Sequence, residues 1–149
     1  MNKIDFSDEY FMQQALIEAS YAYDKDEIPV GVVIVCNKII IAKSHNLTET
    51  LRDVTAHAEM MAITSAMETI GAKYLDNCTL YVTLEPCIMC AGAIALAHLD
   101  KLVIGVTDEK MGFSKFKTSP LHPKTKLITG IFSKECGDIL KDFFKNKRG

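Results

Sequence analysis

Two short motifs bring together side chains able to do chemistry: His57-Ala58-Glu59, and about thirty residues later Pro86-Cys87-Ile88-Met89-Cys90. Between them they supply one imidazole, two thiols and one carboxylate. An imidazole and two thiolates make three ligands for zinc, and a catalytic zinc keeps its fourth position open for water. Zinc lowers the pKa of such a water from about 15.7 to about 7, which yields hydroxide at neutral pH. Glu59 suits a proton carrier better than a fourth ligand. Two other readings compete. A structural zinc site wants four Cys or His ligands, but Cys36, Cys78 and Cys136 stand alone in the sequence and read as core packing. A redox Cys-x-x-Cys needs neither His57 nor Glu59.

The elements that must carry these motifs can be read from pattern. Ser7 caps a first helix running to Tyr23, with Asp8 and Glu9 at its positive end. Val30–Val35 and Ile39–Ala42 are β-branched runs joined by Asn37-Lys38, a two-residue hairpin turn. After a polar stretch from Ser44 to Asp53, Thr55 is expected to cap a helix that ends before Gly71. Thr79–Leu84 reads as a strand. Pro86 opens an apolar helix from Cys87 to His98, expected to be buried all round. Leu102–Val106 is the next strand, followed by a long irregular stretch, Thr107–Lys126. A short strand near Leu127–Thr129 and a helix over Ser133–Lys147 close the chain. Strands interleaved with helices imply an α/β fold, a mixed sheet with helices on both faces. Residues two apart on a helix do not share a face. His57 and Glu59 therefore meet in one site only if it lies off the helix's N-terminal end, where Cys87 and Cys90 also gain from the helix dipole.

The spaced pair H-x-E and P-C-x-x-C is the signature of zinc-dependent nucleobase deaminases. Beyond it, Glu9-Tyr10-Phe11-Met12, Ile28-Pro29-Val30-Gly31, Thr55 to Glu59, Leu80 to Ala93 and Asp142-Phe143-Phe144 make nearly the whole chain resemble the bacterial tRNA adenosine deaminases of the cytidine deaminase superfamily. That resemblance implies a three-layer α/β/α cytidine deaminase-like fold with a mixed five-stranded sheet, and one zinc-dependent deaminase domain over residues 1–149. It implies conversion of the wobble adenosine of a tRNA anticodon stem-loop to inosine, by a homodimer with one zinc ion per subunit; the lack of a signal peptide and of a membrane-length apolar run makes the expected location cytoplasmic. Carried over, His57, Cys87 and Cys90 are the zinc ligands, Glu59 is the proton shuttle for attack at adenine C6, and Asn46 with the backbone of Ala58 meets the base. Rival readings are a free-base or nucleotide deaminase of the same superfamily, for guanine or cytosine, and a non-catalytic RNA-binding subunit that keeps zinc for folding. Loss of the shuttle would mark the latter, and Glu59 is present.

The chain departs from many members of the family after the fourth long strand, in Lys110-Met111-Gly112-Phe113-Ser114-Lys115-Phe116-Lys117. Phe113 and Phe116 could stack bases or anchor the loop to the core. His45 and His122 read as solvated loop residues. The first residues lack the apolar core of a signal peptide, and no apolar run is long enough to span a membrane. Five cysteines in such a chain point to metal or free thiols.

The 17 Lys and Arg against 19 Asp and Glu argue at first against a polyanionic partner. The total hides an asymmetry. Residues 1–100 hold 6 basic and 14 acidic side chains, a net of -8, whereas residues 101–149 hold 11 and 5, a net of +6. Lys110, Lys115, Lys117, Lys145, Lys147 and Arg148 are the candidate RNA contacts in that basic third.

Overall fold

The computed structural model describes residues 6–148, with the side chains of 6–147. The readings that fell on Met1–Asp5 and on the Arg148 side chain lie outside the described residues. Helix α1 (Asp8–Asp24) begins as expected, with the Ser7 hydroxyl accepting from the Tyr10 amide at 3.2 Å. Strands β1 (Gly31–Cys36) and β2 (Ile39–His45) form the hairpin, and both turn residues adopt positive φ, 53° at Asn37 and 64° at Lys38. Those angles define the turn whose twist matches an antiparallel pair. Helix α2 (Thr48–Leu51), α3 (Ala58–Ile70), strand β3 (Cys78–Leu84), α4 (Ile88–Leu96), β4 (Lys101–Val106), β5 (Lys126–Thr129) and α5 (Ser133–Arg148) follow.

The sheet order is β2-β1-β3-β4-β5, with β1 antiparallel to β2 and β3, and β3, β4 and β5 parallel. This is the mixed five-stranded sheet that the resemblance implied. Strand alternation divides the core in two. Val32, Ile34, Leu80, Val82, Leu102 and Ile104 pack with Ala58, Ala62 and Ile63 of α3 and with Ala91 and Ile94 of α4. Val33, Val35, Tyr81 and Val103 face the other way, onto Phe11, Met12 and Ala15 of α1 and Cys136 of α5. A period of two with both faces covered makes β1 a run of buried residues, a helix layer on each side. At Gly31 helix α1 comes so close that a Cβ would collide with the Ala15 carbonyl and the Ala19 nitrogen.

Several expectations need correction. Thr55 does not cap α3: its amide and hydroxyl both bond to the Asp53 carboxylate, at 2.8 and 2.7 Å, which makes a tight turn, and His57 becomes the N-cap. Ser44 and His45 belong to β2, where they pair with Val32 and Gly31. His45 is not a solvated loop residue, because its ring lies between Glu18 and Lys25, 3.0 Å from each. Helix α4 is buried on one side only: Ile88 is 48% and Leu96 78% exposed. The irregular stretch after β4 contains one 3-10 turn, Phe113–Lys115.

Candidate active site

Parallel strands fed by helices leave a crevice at their carboxyl ends. Here it is formed by the end of β3, the loop after β4, the end of β2, and the N-termini of α3 and α4. His57 and Cys87 are the N-caps of those two helices, both with extended backbone; the His57 side chain does not cap its own helix, and the Cys87 sulfur faces the Met89 and Cys90 amides of α4. The N–H groups of each first turn point out of the helix end, where they and the dipole favour negative charge. Pro86 ends the β3 ladder, since it has no N–H to donate, and Cys90 lies one turn inside α4. The Ser44 hydroxyl donates to the Ala58 carbonyl at 2.6 Å and ties β2 to the start of α3.

Cys87 Sγ and Cys90 Sγ lie 3.6 and 3.5 Å from His57 Nδ1, and the three ligand atoms all fall within 4.8 Å of one another. A tetrahedral zinc with bonds of about 2.3 Å to sulfur and about 2.0–2.1 Å to nitrogen has a sulfur-to-nitrogen edge of about 3.5 Å. The donor set thus fits zinc in type and in spacing. Among the described residues it is the one group of this kind that could hold a metal ion. A hydrogen bond from Cys90, with the Cys90 and Met89 backbone amides behind it, pulls the Cys87 thiol down to about 5. The same bond and burial drive Cys90 upward. Cys136, buried under Gly105, is pushed up to about 12 by desolvation.

Glu59 is 4% exposed, and burial pushes its carboxyl up to about 7, against the opposing pull of its own backbone amide and of His57. It lies at the second position of α3, so the His57 and Glu59 side chains reach one site off the helix end, as the spacing required. Both line a cavity of about 240 Å³ together with Asn46, Ala58, Glu85 and Cys87. Asn46 is 7% exposed, its backbone amide bonded to the Val30 carbonyl at 3.1 Å. All the expected base-contacting and metal-ligating residues therefore meet in one place.

Of the remaining lining residues, Ile28, Val30 and Leu84 fall in segments that carry the resemblance, whereas Thr48 and Asp108 had no signal in the sequence. Ile28, Thr48, Asp108 and Met111 come from loops and a short helix. Two buried carboxylates hold those segments. Glu27 accepts from the Glu49 and Thr50 amides at 3.1 and 2.6 Å, and Glu85 accepts from the Asp108 and Ser114 amides at 3.0 and 2.8 Å. Glu27 carries no periodic or motif mark, and Glu85 lies in the Leu80–Ala93 segment of the resemblance with no role assigned to it there. Only a charged residue beside apolar strands hinted at a partner.

The candidate RNA side chains do not converge in the same way. Lys115 Nζ bonds the Lys110 carbonyl at 3.0 Å and lies over the Phe116 ring, 5.4 Å from its centroid. Lys147 is paired with Asp26. Among the described residues, Lys110, Lys117 and Lys145 have no carboxylate within ion-pair distance. The two phenylalanines divide: Phe113 is buried in the core, and Phe116 is 43% exposed.

Residues 6–148 match the MafB19-like deaminase family. The tRNA-specific adenosine deaminase of Bacillus subtilis (strain 168) is 42% identical over 95% of this chain and 91% of its own. A solved structure from a study of A-to-I editing by tRNA:A34 deaminases at the wobble position is 41% identical. It covers 88% of this chain and 99% of its own, with a TM-score of 0.83. The guanine deaminase of Bacillus subtilis is 38% identical over 72% of this chain and 66% of its own, with a TM-score of 0.64.

Proposed function

The chain belongs to the MafB19-like deaminases and among them to the tRNA-specific adenosine deaminases, and from that premise we propose that it hydrolyses the wobble adenosine of a tRNA anticodon to inosine, releasing ammonia. The observation that carries the reading is the meeting of His57, Cys87 and Cys90 with buried Glu59 at one cavity. Zinc, one ion per chain, would be held by His57, Cys87 and Cys90 and would supply a water activated at neutral pH.

Glu59 is the proton shuttle. A carboxyl held near 7 takes a proton and returns it with little cost at neutral pH. It removes the water's proton and delivers it to the purine ring nitrogen beside C6 as the C6–O bond forms; it then takes the proton of the new C6 hydroxyl and passes it to the amino group, so that the C6–N bond breaks, the C6 carbonyl forms and ammonia leaves. The Asn46 amide donates to N7 of the purine, and the Ala58 and Cys87 backbone amides face the reacting end of the ring. A cavity of about 240 Å³ is smaller than the roughly 300–1,000 Å³ of sites for drug-sized ligands, which suits one base turned out of its stack with its sugar and phosphates outside.

The unit that acts is a homodimer in the cytoplasm, each chain a single deaminase domain over 1–149. Exposed apolar Val54, Ile88 and Leu96 are the surface that a second copy would cover. Five free thiols suit a reducing compartment. Lys110, Lys115, Lys117 and Lys145 meet phosphates of the stem-loop.

The guanine deaminase resemblance supports a second reading, turnover of free bases. Incubation of the purified protein with an anticodon stem-loop carrying the wobble adenosine, and separately with free guanine and adenine, decides between them. Inosine in the stem-loop and inert free bases are expected. Turnover of free bases with an untouched stem-loop would replace the first reading with the second.

A further inference from the structure

We propose that Glu85 is a positioning residue: its buried carboxylate fixes residues 108–114 as one wall of the base cavity, and thereby sets how tightly the RNA is held. This rests on the reading of the chain as an RNA deaminase. Glu85 is 4% exposed, and among the described residues no cation pairs with it. A carboxylate without a counter-charge must find donors, and it finds them in one loop. Oε1 accepts from the Asp108 amide at 3.0 Å and Oε2 from the Ser114 amide at 2.8 Å, while the Glu85 amide donates to the Val106 carbonyl at 2.9 Å. The next residue extends the grip, since the Pro86 carbonyl accepts from the Phe113 amide at 3.0 Å.

Between the two gripped ends the loop closes on itself. Asp108 Oδ1 accepts from the Lys110 and Met111 amides, both at 3.1 Å. Gly112 then passes so close to the clamp that a Cβ there would overlap the Glu85 carboxylate and the Asp108 carbonyl. Gly112 has φ of -66°, so contact with those groups, and not backbone conformation, is what requires glycine. Asp108 and Met111 are thereby held at the cavity, while Lys110 and Lys115, with Phe116, stand outside it. The same carboxylate thus fixes both the wall that meets the base and the basic segment that meets its backbone.

Glu85→Gln keeps the volume and removes one acceptor, so its NH2 must face an amide N–H. A hydrogen bond to a charged group is worth enough that stem-loop binding should weaken about tenfold. Two measurements test this. In a Glu59→Ala background, fluorescence anisotropy gives the stem-loop Kd without turnover; in the active protein, steady-state kinetics separate KM from kcat.

The expected result for Glu85→Gln is a Kd and KM raised about tenfold, a kcat within about threefold of the parent, and zinc still bound. Gly112→Ala, which presses on the clamp from the loop side, should give the same split and stands in if Glu85→Gln does not fold. Kd and KM within twofold of the parent would overturn the inference while leaving the parent's activity intact. So would a fall in kcat with loss of zinc at unchanged KM, the mark of a purely structural role. A parent that neither binds the stem-loop nor makes inosine would overturn this inference and the functional reading together.

Discussion

At the floor of the cavity, His57, Glu59, Cys87 and Cys90 leave the first turns of two helices, and each is wholly or partly withdrawn from solvent. Outside it, in the loop after β4 and along α5, the basic side chains among the described residues are lysines on long exposed stems, some of them already occupied by the chain's own oxygens. The floor is rigid because helix ends and the strands beneath them leave its side chains few alternatives. The rim is adaptable because four flexible carbons separate each charge from the backbone. Chemistry needs the first property, and attraction of a phosphate backbone tolerates the second.

The largest effect that would break this contrast is at Glu59. Glu59→Ala should lower inosine formation by about 10²–10⁴-fold, the usual contribution of a positioned acid and base, with bound zinc unchanged. Inosine formed at the parent rate would mean that the floor's carboxylate is not the shuttle.

A second test compares thiols in the two regions. After zinc is chelated, Cys87, with its thiol held near 5, should be alkylated by iodoacetamide at a rate nearly constant from pH 6 to 8 and falling only as the pH drops toward about 5. Cys136, buried and pushed up to about 12, should stay unmodified in the folded protein throughout. Mass spectrometry of peptides reads both. Equal labelling of the two would show that the Cys90 hydrogen bond and the amides beside it do not distinguish the site's thiol.

The smallest effect belongs to the rim. With Lys110, Lys115, Lys117 and Lys145 on phosphates, stem-loop affinity should fall with salt at a log-log slope of about -3. Lys117→Ala should reduce that slope by nearly one, and Lys147→Ala, which removes a side chain paired with Asp26, should change it far less. A slope near zero would place the RNA on another surface.

How far these regions were legible in the sequence differs for the same physical reason. Local chemistry wrote the helix cap at Ser7, the turn at Asn37-Lys38 and the stop at Gly71, whose φ of 66° needs glycine. The start of α3 differs from the Thr55 cap that the sequence suggests because Asp53 and Thr55 bond each other, a choice between turn and cap that spacing does not settle. His45 looks solvated from sequence because its partners Glu18 and Lys25 stand 27 and 20 residues away. The loop after β4 looked irregular because its order comes from Glu85, which lies in another part of the chain.

The sequence by itself determined the imidazole, the two thiols, the carboxylate and their spacing, since donor types are properties of side chains, and the spacing of helix starts follows from local propensity. It also determined that positive charge gathers in the last third of the chain. Only the tertiary structure decided that the two helix ends face one another with sulfurs 3.5 and 3.6 Å from the imidazole, because that distance depends on how α3 and α4 pack on the sheet. It alone decided which loops wall the cavity and which lysines are already engaged. Those outcomes rest on contacts between residues far apart in sequence, and a buried carboxylate chooses its partners only once the chain has brought their amides within reach.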